Sequence, residues 1–283
     1  MAFVATIGFF DGVHTGHQFV LEQMKIIAQD RHMKSAVVIF EDHPQTVLHG
    51  KQVPLLTTFE ERVQLLKERG IDTILSFRFE EICKLTAEEF IRKLHEQDHV
   101  EILVMGYDHH FGSDRLPSFN DYRIRAERVG VSLLQLPQNP LSNASSTTIR
   151  RELAEGNIEK ANALLGYPYT LIGEVVSGKQ IGRTIGFPTA NLNVPEEKLV
   201  PKEGVYLCDA LGKKAIMNIG TNPTLNGNKQ TIELHIPDFS GNLYGKVISV
   251  KLLHYLRQEK HFDSIEDLRN QIEQDVQALR NNN

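Results

Sequence analysis

A change of texture part-way along the chain constrains its fold more than any other feature. Up to about residue 165, short and nearly continuous apolar runs (FVATI, SAVVIF, DTILSF, EILVMGY, VSLLQLP) alternate with amphipathic stretches of helical spacing. Runs without polar alternation suit strands covered on both faces, and strand–helix alternation demands parallel pairing through crossover helices. Several helix ends are legible: Thr58–Glu61 and Thr86–Glu89 spell capping boxes, and Gly70 and Gly130 stand where helices should stop. The expectation is an α/β, doubly wound parallel sheet. From Gly166 onward the runs TLIGEVV, GVYLCDA, KKAIMNI, QTIELHI and GKVISVKLL, punctuated by Gly and Pro, predict an antiparallel barrel or sandwich. A last helix starts at Ser264, and Ile265, Leu268, Ile272, Val276 and Leu279 give it one apolar face, expected to pack on the β domain. Two domains follow, residues 1–166 and 167–283.

Composition narrows the function classes. A net charge of −5 offers no cation excess against a phosphate backbone, so indiscriminate nucleic-acid binding is not expected. Cys83 and Cys208 are far apart in sequence, which argues against a disulfide framework or a thiolate metal site. The opening MAFVATIGFF lacks a basic leader region, and no apolar run approaches the roughly 18 residues of a membrane span. The expectation is a cytoplasmic protein with small-molecule substrates, no nucleic-acid or membrane partner, and self-association left open.

The stretch GFFDGVHTGHQ, residues 8–18, places His14 and His17 three apart between a strand and a segment of helical spacing. At a helix N-terminus, free N–H groups and the dipole favour an anion, and Gly16 offers no side chain to keep a phosphate away. Residues three apart share a helix face, so both imidazoles can donate to one phosphoryl group. The alternative is a histidine pair that caps the loop. A zinc site has less support, because HxxH here lacks the glutamate and third ligand of a zinc hydrolase.

FDGVHTGHQ resembles the HxGH signature of the nucleotidyltransferase superfamily, in the form found in bacterial bifunctional riboflavin kinase/FMN adenylyltransferases. SSTTIRREL, residues 145–153, resembles that family's second phosphate-binding motif, and GYDHHFG, residues 106–112, its flavin-side loop. The resemblance implies that FMN's phosphate attacks the α-phosphorus of ATP while His14 and His17 stabilise the developing charge. It further implies binding roles for Gly8, Phe10, Asp11 and Gly16, for Ser145, Ser146, Thr147 and Arg150 around pyrophosphate, and for Asp108 and His43. Two positions depart from the pattern: His109 stands where many relatives have phenylalanine, and Asp42 interrupts a segment that more often reads FxPHP.

SGKQIGRTIGFPTANL, residues 177–192, carries the second signature. In extended chain, residues two apart point the same way, so Thr189 and Asn191 present a hydroxyl and an amide oxygen together, a pair that suits Mg2+. A polar turn is the alternative for PTAN taken alone. GRTIGFPTAN resembles the defining motif of riboflavin kinases, followed in that family's order by GVY, NIGTNPT, ELHIPDF and LYG. The resemblance implies a six-stranded barrel, Glu233 as base toward the riboflavin 5′-hydroxyl, Thr189 and Asn191 at the metal, and binding roles for Gly182, Gly186, Asn218, Gly220, Thr221 and Arg257. ATP, riboflavin, FMN and FAD are then substrates or products. Two other readings stay open: a kinase beside an inactive first domain, or a non-catalytic flavin-binding regulator.

Overall fold

The computed structural model describes residues 2–107, 109–139, 143–178, 182, 185–224, 227–260 and 262–281, without the side chains of 222–229. Its chain forms two compact units, Met1–Ser146 and Thr147–Asn283.

The first unit is a five-stranded parallel sheet. Strands β1 (Phe3–Ile7), β2 (Lys34–Phe40), β3 (Thr73–Phe77), β4 (Val100–Met105) and β5 (Ser132–Gln135) lie in the order β3-β2-β1-β4-β5. The helices are α1 (Thr15–Asp30), α2 (Pro44–His49), α3 (Phe59–Glu68), α4 (Phe79–Ile82), α5 (Ala87–Asp98) and α6 (Phe119–Val129). Both expected capping boxes are present, at Thr58/Glu61 and Thr86/Glu89. The apolar runs divide by period two: Ala5, Ile7, Val38, Leu103 and Met105 join one core cluster, while Val4, Val37, Ile39, Ile102 and Val104 join another. This is the doubly wound sheet, apolar on both faces, each such buried side chain contributing roughly 1.5–3 kcal/mol. The chain winds from β1 outward through β2 to β3, then returns to pair β4 beside β1. That reversal opens a crevice beyond the C-terminal ends of β1 and β4, where ligands bind in open α/β sheets.

The second unit contains α7 (Ser146–Glu155, apart from its first residue) and α8 (Ile158–Leu165). Strands β6 (Thr170–Val176), β7 (Ala190–Asn193), β8 (Gly204–Ala210), β9 (Lys213–Thr224), β10 (Gly227–His235) and β11 (Val247–Arg257) follow, then helix α9 (Ile265–Asn281). The six strands close into an antiparallel barrel, β10-β7-β6-β11-β8-β9. Leu211 and Gly212 both have positive φ (57° and 70°), the geometry of a two-residue hairpin turn between β8 and β9. Helix α8 is tied to the barrel by Asn162, whose amide donates to the Leu252 carbonyl (2.9 Å) and accepts from the Tyr169 N–H (2.7 Å).

The apolar face expected for α9 is only partly used. Val276 and Leu279 are buried against Val205, Leu207 and Ile216, but Ile265 is 65% exposed. The helix meets that cluster with its later turns, and Ile265 opens the first turn, where the Ser264 hydroxyl accepts the Asp267 N–H (3.1 Å). No helix among the described residues is long and apolar enough to cross a membrane.

Candidate active sites

The segment between β1 and α1 is bent into conformations that L-residues resist. Phe10 (φ 53°), Gly12 (φ 78°) and Val13 (φ 36°) all have positive φ, and Val13 is β-branched, so each non-glycine costs of order 1–3 kcal/mol. The bend aims His14 and His17 at the crevice. His14 is the N-cap of α1, its Nδ1 accepting the His17 N–H (3.3 Å). The two imidazoles stack with centroids 3.6 Å apart and planes 18° from parallel, and Phe10 meets His17 edge-on at 5.0 Å.

Burial sets their charge. His14 is 6% exposed and its pKa falls to about 4 through desolvation, with Asp11 partly opposing. His17 is pushed well below the ordinary imidazole value by burial first, then by the neighbouring His14 and His109 rings. Both are neutral at pH 7, and their tautomers follow from hydrogen bonding. Because Nδ1 of His14 accepts a backbone N–H, the ring proton sits on Nε2. Among the described residues Nδ1 of His17 is buried without a partner, and a bare lone pair is tolerated there better than an orphaned N–H, so its proton also sits on Nε2. The motif therefore presents two neutral Nε2–H donors.

The His14 shift carries a stability prediction. The unfolded chain takes up a proton near pH 6.5 while the folded site resists until about 4, so stability present above pH 6.5 is lost as pH falls toward 4. A displacement of that size is worth on the order of 3 kcal/mol. Asparagine at position 14 keeps an oxygen for the cap and does not titrate, so urea midpoints of His14→Asn should decline less than wild type between pH 7 and 4.

A cavity of about 780 Å³ is lined by Gly8, Phe10, His14, Gly16, His17, Ser145 and Ser146 from the expected set. His109 and His110 line it as well, so the departure at 109 adds an imidazole to the wall. Asp11 is not among the lining residues. It is 2% exposed, and its carboxylate accepts the N–H groups of Leu56 (3.1 Å) and Thr57 (3.0 Å), while its carbonyl accepts the Ser146 hydroxyl (2.9 Å). Gly16 serves packing first, since a Cβ there would lie 3.2 Å from the His14 ring and 3.3 Å from the Ala144 carbonyl. His43 caps α2, accepting the Gln45 N–H (3.1 Å), with its ring against Phe9 (4.7 Å). Thr147 and Arg150 follow on α7 and are not among the cavity's lining residues, and Asp108 lies outside the described residues. Arg62, which sequence reasoning missed, is fully buried beneath this loop.

In the barrel unit, Asn191 on β7 pairs in register with Glu233 on β10, and Glu233 pairs with Asn218 on β9. The Thr189 hydroxyl donates to the Glu233 carboxylate (3.3 Å). All four line one cavity of about 280 Å³ with apolar walls that include Ile216, Leu268 and Ile272. Hydroxyl, amide and carboxylate oxygens supply hard donors for Mg2+, which needs few protein ligands when phosphates and water complete its shell. Among the described residues no cluster of three His, Cys, Asp or Glu is arranged to hold a metal by itself. A second cavity, about 550 Å³ and bordered by Phe239 and Tyr244, shares Thr189 with the first.

The other residues of these segments make the following contacts. His235 donates Nδ1–H to the Pro188 carbonyl (2.9 Å) and so steadies the segment carrying Thr189. Gly182 also lines the Glu233 cavity; its carbonyl accepts the Phe187 N–H (2.8 Å), and a Cβ there would strike the Phe187 carbonyl, so its role is a tight turn. Gly186 has φ 88° and open space around it, so backbone conformation alone calls for glycine. Gly220 lies under the Glu259 carboxylate, which also accepts from Asn218 (3.3 Å), and Thr221 continues β9. Arg257 reaches the cavity wall but is held by Asp275 of α9 through two bonds of 3.0 and 2.7 Å.

Comparison with known proteins gives a match for each half of the chain. A family profile for FAD synthetase matches residues 1–148 and one for riboflavin kinase matches residues 165–282. A bifunctional riboflavin kinase/FMN adenylyltransferase from Listeria monocytogenes is 37% identical over 98% of this chain and 91% of its own length. Another, from Haemophilus influenzae, is 36% identical over 97% and 92%. A crystal structure from Streptococcus pneumoniae, described as a macrolide-efflux protein, superimposes with a TM-score of 0.88 at 30% identity, covering 99% of this chain and 94% of that one. With one profile on each motif-bearing half and relatives aligned almost end to end, this chain belongs to the bifunctional riboflavin kinase/FMN adenylyltransferase family.

Proposed function

We propose that the protein makes FMN from riboflavin and ATP in its C-terminal domain, residues 167–283, and FAD from FMN and ATP in its N-terminal domain, residues 1–166. The observation that carries this reading is that two separate cavities are each lined by the side chains of one signature, His14 and His17 in one, Thr189 and Glu233 in the other. Two free thiols, Cys83 and Cys208, accord with a cytoplasmic enzyme.

In adenylyl transfer, an FMN phosphate oxygen bonds to the α-phosphorus of ATP and the bond to the bridging oxygen breaks, releasing pyrophosphate. The Nε2–H groups of His14 and His17 donate to phosphate oxygens as charge builds, and the α1 N-terminus adds its dipole. Neutral donors need no proton from solvent, and burial of the two rings strengthens each hydrogen bond they make.

For the kinase, the apolar walls around Ile216 and Ile272 suit the flavin ring, and in this reading its ribityl end points toward Glu233. The adjoining cavity with Tyr244 suits the nucleotide, and Thr189, common to both, marks where the γ-phosphoryl group crosses. Glu233 accepts the proton of the 5′-hydroxyl while that oxygen bonds to phosphorus and ADP leaves. Mg2+, held by Thr189 and Asn191 with the phosphates, would neutralise phosphate charge. Incubation with riboflavin, ATP and Mg2+, followed by chromatographic separation of flavins, tests the reading. FMN and then FAD should accumulate, and absence of either product removes the corresponding activity.

A further inference from the structure

The loop that aims the two histidines has one internal backbone bond, from the Val13 N–H to the Phe10 carbonyl (3.0 Å), and is otherwise held from outside. Arg62, on α3, is fully buried and sends Nη1 to the Phe9 carbonyl (3.0 Å) and Nη2 to the Phe40 carbonyl (3.1 Å), with its guanidinium 3.9 Å above the Phe9 ring. Among the described residues its Nε has no partner, and Asp11 and Glu60 favour its charge only against a larger cost of burial. Burying a cation on these terms is costly, and an apolar side chain of similar size would fill the space at less expense. What an apolar residue cannot do is grip two carbonyls. Phe9 lies just after β1, immediately before the strained Phe10, and Phe40 ends β2, so the planar fork fixes the separation of the two strand ends and the exit angle of the loop.

A second set of bonds comes from the residues just before α3. Thr57 accepts the Gly12 N–H (2.9 Å) and donates to Asp11 (3.2 Å), while Leu56 and Thr57 offer N–H groups to the Asp11 carboxylate. Strained backbone persists only where surroundings over-determine it, and here LLTTFEER, residues 55–62, provides that surrounding for residues 9–13. Phe9 and Phe10 line the cavity, whereas Arg62 and Thr57 do not.

We propose that Arg62, together with Thr57, is a positioning residue for adenylyl transfer, holding the 9–13 loop so that His14 faces the phosphates, and acting through His14 rather than on substrate. This rests on the adenylyltransferase reading of the first unit. The test is a double-mutant cycle on FAD formation with wild type, Arg62→Met, His14→Ala and the double variant. Arg62→Met should lower kcat by about 10 to 100-fold with KM for FMN and ATP within about threefold, the signature of misplaced groups. On the His14→Ala background the same change should cost less than about threefold, because the group it positions is gone. Arg62→Lys, able to reach one carbonyl but not grip both, should fall between. If Arg62→Met does not fold, Thr57→Val supplies the cycle, with an expected loss of about tenfold alone and little on the His14→Ala background. Losses that multiply, or an unchanged kcat in the folded variant, overturn the proposal. Failure of wild type itself to make FAD would instead overturn the underlying reading.

Discussion

His14→Ala should depress FAD formation by about 10² to 10³-fold, the scale of one lost charge-stabilising donor, and leave FMN formation at the wild-type rate. Two functions are removed at once. The Nε2–H donor disappears, and so does the acceptor that caps α1 through the His17 N–H. The stacked partner at 3.6 Å also goes, leaving His17 freer to rotate. A steady-state assay from FMN, beside one from riboflavin that reads FMN alone, separates the outcomes. Parallel loss of both activities would contradict the division of labour between the units.

Glu233→Gln should do the reverse, lowering FMN formation by about 10² to 10⁴-fold while FAD formation from supplied FMN persists. Glutamine keeps the size of the side chain and can still accept from Thr189, so the barrel and the Thr189 contact survive. It cannot take a proton. Phosphoryl transfer draws mostly on alignment and charge neutralisation, so an intact metal site would leave the variant toward the smaller end of that range. Unchanged FMN production would remove Glu233 from its assigned role.

The architecture was legible because burial on both faces writes itself into the sequence. FVATI and EILVMGY carry no polar alternation, and adjacent residues such as Val4 and Ala5 go to opposite cores. The capping boxes at Thr58 and Thr86 were equally plain, since both partners lie within one turn. Local pattern does not show contacts that are remote in sequence. Asp11 reads as a binding residue within its motif, and the motif alone does not reveal that its carboxylate accepts backbone N–H groups 45 and 46 residues later. Arg257 reads as a charge near the flavin, and its partner Asp275 lies 18 residues on, across the turn into α9. Arg62 gave no signal at all, because an arginine four residues after a helix cap is usually solvated and only the tertiary structure reveals what it grips. Ile265 shows the complementary error, an apolar residue that lies on the right face of a helix and stays 65% exposed in the first turn.

The most direct test of two independent sites is to mix the His14→Ala and Glu233→Gln proteins and supply only riboflavin, ATP and Mg2+. Neither variant alone should yield appreciable FAD. Together they should, because FMN released by the first is adenylylated by the second. No FAD from the mixture, or FAD at the wild-type rate from either variant alone, would contradict the account.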